Sequence, residues 1–138
     1  MNWKLIFALN LFAVVIGTVS LFGLTGRFEW VIWLGVFIIY AWLIAKHAPG
    51  KFFLHGFMVS LINGIIIGVI HAVFLRFYLL HNLEVFMNLH SLPRNIDLRL
   101  FTLCVGPIVG ALLGLISGLF AWIASKIIKK STPSPSES

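Results

Sequence analysis

Polar side chains that interrupt the apolar stretches of this sequence are the first candidates for chemistry. Asn63 lies in the middle of a long apolar run that begins at Phe52, and His71 lies about two helical turns further along. Asn10 holds a similar position in the first apolar run. Polar groups inside a bilayer usually form hydrogen bonds between helices, worth about 0.6 kcal/mol on average. We therefore interpret Asn10, Asn63 and His71 as interhelical contacts, with the lining of a polar pore as the alternative.

A second set of polar residues has side chains of the kinds that bind metal ions. It consists of His81, Glu84 and His90. Zinc needs three or four protein ligands in fixed geometry, and no second pair completes a site here, so solvated loop residues are the favoured interpretation. A catalytic pair is also missing, because Ser60 and His71 would differ in height by about 16 Å on one helix. The sequence predicts no catalytic residue, no cofactor and no metal site.

Composition places the chain in lipid. Of its 138 residues, 60% are hydrophobic and 10% are charged, and the mean hydropathy is +1.05. A soluble domain of this size could not bury so much apolar surface, so we expect membrane lipid around its outer faces. The net charge of +6 comes from Lys and Arg at the ends of apolar runs, which indicates lipid headgroup contact and not nucleic acid. The single cysteine, Cys104, is expected to be a small buried hydrophobe.

Four apolar runs are long enough to cross a hydrocarbon layer of about 30 Å, and they must position these side chains. Their predicted boundaries are about 5–24, 28–45, 52–80 and 100–128. The sequence thus predicts an all-α integral membrane protein, a bundle of four transmembrane helices that forms a single domain of residues 1–130.

The segment between the third and fourth runs is polar but carries a helical pattern. Leu83, Phe86, Met87 and His90 recur at helical spacing, which predicts a short amphipathic helix on the membrane surface. Residues 131–138 are rich in Ser and Pro and are predicted to be a disordered tail.

Two rows of small residues predict how the helices pack. The row in the third run is Gly56, Ser60, Gly64, Gly68 and Ala72. The row in the fourth run is Gly106, Gly110, Gly114 and Gly118. Between helices in lipid the hydrophobic effect gives little attraction, so association depends on close contact, which small residues at every fourth position allow. Glycine is common in membrane helices, but we predict that these rows face each other, within one chain or between two copies.

Basic residues predict the orientation. Four spans place both termini on one side, together with Lys4, Lys46, Lys51, Lys126, Lys129 and Lys130. The opposite side holds Arg27, Arg76, Arg94 and Arg99. Since cytoplasmic flanks carry the excess of Lys and Arg, both termini are predicted to be cytoplasmic.

Three short motifs carry a resemblance to a known group of proteins: Met1-Asn2-Trp3-Lys4, Phe53-Leu54-His55-Gly56-Phe57 and Gly106-Pro107-x-x-Gly110. With them the chain resembles an uncharacterised family of small four-span bacterial inner-membrane proteins without an assigned function. The resemblance implies an inner-membrane location and carries over no catalytic residue.

The leading functional hypothesis is a non-enzymatic membrane protein that acts through helix packing, as a homo-oligomer or as an accessory subunit beside a larger membrane protein. The alternative is a small oligomeric channel or passive transporter lined by Asn63 and the glycine backbones. A lipid-modifying enzyme that uses His81 and Glu84 ranks third. A polar cavity around Asn63 would favour the second hypothesis, and a filled interior would favour the first.

Overall fold

The computed structural model describes residues 1–131, and every regular element in that range is helical. In chain order the elements are α1 (Trp3–Leu21), a single 3-10 turn (Gly26–Phe28), α2 (Glu29–His47), α3 (Phe52–Val73), α4 (Leu75–His81), α5 (Leu83–His90) and α6 (Leu98–Ser131). Four of these described helices, α1, α2, α3 and α6, are long and apolar enough to cross a membrane. The prediction of an all-α chain with four helices of membrane length is confirmed. Beyond Ser131, which ends α6, the predicted tail lies outside the described residues.

A side-chain cap marks the start of the first helix, and a backbone turn marks the start of the third. The side chain of Asn2 accepts a hydrogen bond from the backbone N–H of Leu5 at 3.2 Å and caps α1. The backbone N–H of Asn2 donates to His55 Nε2 at 2.9 Å, which ties the start of α1 to the first turn of α3. Lys51, directly before α3, has a positive φ of 51° and completes the turn from α2.

The third apolar run is not one helix. The sequence predicts a span over 52–80, but α3 ends at Val73 and α4 begins at Leu75. Phe74 between them has φ −99° and ψ 29°, outside the α-helical region. No proline or glycine marks this position, so the break has no local sequence signal. The membrane-length part of this run is therefore Phe52–Val73.

Helix α3 is central to the packing. It contacts α6 most extensively and α1 along its other side, while α2 packs mainly against α6. The buried core includes Ile6 and Leu9 of α1, Tyr40 of α2 and Val59 of α3. Helix α6 continues through Pro107 without interruption.

Large apolar side chains remain exposed on the outer faces of all four long helices. Cys104 is also exposed, so the expectation that it is buried is wrong. It lies on α6 two residues before Gly106, whose backbone contacts α3, and therefore points to another side of the helix. The short helix α5 is present as the spacing predicts, and none of its residues is buried.

Candidate functional site

Helices α3 and α6 approach to backbone contact along the small residues. A Cβ atom added at Gly110 would lie 2.9 Å from the Cα of Gly64 and 2.9 Å from the carbonyl oxygen of Ser60. One added at Gly68 would lie 3.2 Å from the Cα of Gly106. These contacts join the two rows within one chain, antiparallel, and leave no space for larger side chains at these points.

At the end of the rows that is predicted to face the cytoplasm, one glycine contacts backbone and another contacts an aromatic ring. A Cβ added at Gly56 would lie 2.8 Å from the Cα of Gly118, which is again backbone contact. Gly114 instead accommodates the ring of Phe57, whose Cδ2 would lie 3.0 Å from an added Cβ. Ala72 and Ser60 are buried. The two rows therefore pack partly through contacts between glycine backbones and partly through contact of a glycine with an aromatic ring.

Towards the other end, α2, α3 and α6 line a partly open cavity of about 270 Å³. Helix α2 contributes Glu29, Trp33 and Phe37, which lie on one face because they are four residues apart. Helix α3 contributes residues from Ser60 to His71, and α6 contributes residues from Phe101 to Leu113. The cavity therefore extends along about 16 Å of α3 and is lined mostly by apolar side chains.

Asn63 lies in the deep half of this cavity and has one unpaired atom. The hydroxyl of Tyr40 donates to the carbonyl oxygen of Leu9 at 2.8 Å, so its own oxygen can only accept from Asn63. The Asn63 Nδ2 group donates to that oxygen at 3.5 Å. This fixes the orientation of the amide and leaves Asn63 Oδ1 buried without a hydrogen-bond partner among the described residues.

His71 marks the other half of the cavity. It is 8% exposed, and its Nε2 atom is buried without a partner among the described residues. Its ring stacks on that of Tyr78, with centroids 4.0 Å apart. Asn63 and His71 therefore both line the cavity. The unpaired atom of each is itself buried, so other atoms of these two residues form the wall.

Glu29 and Tyr78 form the mouth of the cavity beside His71. The hydroxyls of Ser20 and Thr25 donate to the two carboxylate oxygens of Glu29, each at 3.5 Å. Burial raises the pKa of the Tyr78 hydroxyl to about 12, and the nearby Glu29 carboxylate adds to the increase. Tyr78 is therefore a neutral hydrogen-bonding group at physiological pH.

Short helices cover the mouth. Val85 and Leu89 of α5 line the cavity, and Asn82, directly before α5, ties this cover to α1. The Asn82 side chain donates to the carbonyl oxygens of Ser20 at 3.1 Å and of Tyr78 at 2.9 Å. The cover is thus held by polar contacts at its start.

The remaining predicted polar residues lie elsewhere. Asn10 is buried on α1, where its Nδ2 donates to the carbonyl of Ile6 at 2.8 Å, and it does not line the cavity. His81, Glu84 and His90 are exposed. Within residues 1–131 no three metal-ligating side chains come together.

Sequence reasoning missed Glu29, Trp33 and Tyr78 as cavity residues. Glu29 lies at the start of the predicted second span, about 28–45, and Trp33 lies one turn further along it, so both fall in a stretch interpreted only as a membrane crossing. The signal that could have found Glu29 and Trp33 is their four-residue spacing, which continues to Phe37. Tyr78 reaches the cavity only because the helix breaks at Phe74.

No family model, curated protein or solved structure matches this chain. The fold and the site together define a class: a helical chain with four helices long and apolar enough to span a membrane, and a mostly apolar, partly open cavity with a polar mouth.

Proposed function

We propose that this protein is a four-helix-bundle membrane protein, with both termini cytoplasmic, which binds a small ligand with an apolar body in the cavity between α2, α3 and α6. The observation that carries this proposal is the mostly apolar cavity of about 270 Å³, which Trp33 and Phe37 line and which has Glu29 and Tyr78 at its mouth. Its volume is close to the ~300 Å³ at which small-molecule pockets begin.

The lining favours an apolar occupant. The apolar part of a ligand would contact Trp33, Phe37 and Ile67. Water finds few hydrogen-bond partners on such a surface. A few water molecules are the rival occupant, since each takes about 30 Å³.

Binding is a better interpretation than catalysis or partner assembly. Ser60 and His71, which could form a nucleophile and base, line the cavity about 16 Å apart along α3 and cannot meet. The glycines that motivated an oligomer or an accessory subunit contact one another between α3 and α6 of the same chain. Their close packing is therefore accounted for within this chain and needs no partner.

A passive path for a solute is the second proposal. It is supported by the position of Asn63, Gly64, Gly68 and Gly110 on the cavity wall. Against it, the cavity ends near Ser60 and Leu113, about half the length of α3 and α6. Its length of about 16 Å compares with ~30 Å for a hydrocarbon layer, so transport would require the other half to open.

Trp33 provides a direct test of binding, because it lines the cavity while the other four tryptophans are exposed. In a variant that retains only Trp33, a brominated alkylbenzene should quench its fluorescence in a saturable way. Filling the cavity with Val105→Phe should abolish that quenching, whereas Ile108→Phe, on the exposed side of α6, should not. Non-saturable quenching, equal in both variants, would show partitioning into lipid only and would refute the proposal.

A further inference from the structure

Among the described residues that line the cavity there is an acidic side chain but no lysine or arginine. Glu29 is the one carboxylate among these described residues. Arg27, two residues before Glu29, is exposed and does not line the cavity. A ligand in this space therefore meets negative charge without a compensating basic side chain.

Glu29 is held in place at the mouth. The hydroxyls of Ser20 and Thr25 hold its two carboxylate oxygens, and its position in the first turn of α2 is one that the helix dipole favours for an acidic group. Because the surroundings are largely apolar, a positive charge near this carboxylate interacts more strongly than it would in bulk water. Tyr78 adds a neutral hydroxyl beside it.

Aromatic side chains continue from Glu29 into the cavity. Trp33 follows one turn later on the same face of α2 and Phe37 one turn after that, and both line the space. Tryptophan is the best aromatic partner for an organic cation, within about 6 Å of its ring. A carboxylate followed by aromatic rings is complementary to a positive nitrogen attached to an apolar group.

The same arrangement disfavours other amphiphiles. The phosphate of an anionic lipid and the carboxylate of a fatty acid would lie against Glu29 without a basic partner, and buried like charges are costly. A neutral alcohol would not use the charge of Glu29.

We propose that the ligand is a small lipophilic ammonium ion whose positive nitrogen pairs with Glu29 and whose apolar body lies along Trp33 and Phe37 towards Asn63. This inference rests on the proposed ligand-binding function of the cavity. The size of the cavity selects a ligand of one ring or a short chain and excludes a whole phospholipid.

The test compares three para-brominated probes of matched shape: 4-phenylbutylammonium, its neutral counterpart pentylbenzene, and the anion 5-phenylpentanoate. Binding is measured by quenching of the Trp33-only protein in zwitterionic phosphatidylcholine nanodiscs, with empty nanodiscs to correct for partitioning. We expect the ammonium ion to bind at least about tenfold more tightly than the neutral probe, and the anion not to bind.

Charge variants separate the contribution of Glu29 from that of the fold. Glu29→Gln should weaken binding of the ammonium ion by about tenfold and leave the affinity for the neutral probe unchanged. Glu29→Asp should retain most of the preference for the ammonium ion over the neutral probe. Glu84→Gln, on the exposed face of α5, is the matched control and should change nothing. An unchanged affinity for the neutral probe also reports that the Glu29→Gln protein is folded.

Two failures are distinguishable. If the neutral probe binds saturably and as tightly as the ammonium ion, and Glu29→Gln has no effect, the charge inference is overturned while the binding function stands. If none of the three probes binds saturably, both the inference and the proposed function fall.

Discussion

His71 and Tyr78 stack across the break between α3 and α4, with ring centroids 4.0 Å apart and planes 12° from parallel. In a continuous helix two residues seven positions apart are separated by about 10 Å along the axis, so this stack requires the interruption at Phe74. The break returns Tyr78 to the mouth of the cavity, next to Glu29. A local change in backbone direction thus completes a site that the straight helix would leave open.

The environment of Tyr78 predicts an unusual titration. Because the chain has two tyrosines, Tyr40→Phe leaves Tyr78 as the only one, and its tyrosinate absorbance should appear with a midpoint of about 12, above the ordinary value of 10. Glu29→Gln should lower that pKa but keep it above 10, since burial is the larger cause. A midpoint near 10 in the folded protein would contradict the burial of this hydroxyl.

The same shift predicts how stability depends on pH. The unfolded tyrosine loses its proton near pH 10 and the folded one near pH 12, so the free energy of unfolding should fall as pH rises between these values. Tyr78→Phe should reduce this fall relative to the protein that retains Tyr78. Equal pH dependence in both proteins between pH 10 and 12 would argue against a raised pKa.

Tyr40 and Asn63 should be energetically coupled. Tyr40→Phe removes the bond to Leu9 and leaves the Asn63 amide group buried without its acceptor, so we expect a loss of about 1–3 kcal/mol in the free energy of unfolding. In an Asn63→Leu background the same substitution should cost less, because only the bond to Leu9 is lost. Additive effects in this double-mutant cycle would show that the 3.5 Å contact between the two side chains contributes nothing.

Glycine contacts between α3 and α6 predict a position-specific loss of stability. Gly110→Ala places a methyl group against backbone atoms of Gly64 and Ser60, which cannot move aside independently, so we expect a destabilisation of about 1–3 kcal/mol. Gly35→Ala on α2 is the matched control, because nothing lies within 4 Å of its added Cβ and alanine favours helix. Detergent-induced unfolding, followed by circular dichroism, measures both; equal effects would mean that α3 and α6 are not in close contact.

The orientation predicted from the basic residues can be tested with single cysteines. In a Cys104→Ser background, Ser91→Cys in the segment after α5 should react with a membrane-impermeant maleimide added to intact bacterial cells. His47→Cys at the end of α2 should react only after the cells are permeabilised. The reverse pattern would place both termini outside the cytoplasm.

The positions of the long helices could be predicted from the sequence, but the cavity could not. Long apolar runs and the breakers Pro49 and Gly50 identify membrane-length helices without knowledge of tertiary structure, because each signal is local. The four-residue spacing of Gly64 and Gly68 is also local, and it indicates which face of α3 can approach another helix. These features can therefore be predicted from the amino-acid sequence without a tertiary structure.

The parts that could not be predicted depend on the relative positions of distant elements. The helix break at Phe74 has no proline or glycine to announce it, and Cys104 is exposed because of how α6 is rotated against α3. Asn63 was recognised as deep and polar, but its free oxygen follows from the hydroxyl of Tyr40 being committed to Leu9 on a third helix. Such contacts appear only once three helices are placed together.

Helix α5 is eight residues long with no buried side chain, yet its Val85 and Leu89 complete the wall beside the mouth of the cavity, whereas most of the remaining wall is formed by the long helices α2, α3 and α6. Moving α5 away would open the cavity and would cost less free energy than separating α3 from α6, because α5 buries no side chain. If the protein binds the amphiphile proposed above, α5 is the element that has to move to admit it, so the rate of binding would depend on the mobility of this one short helix.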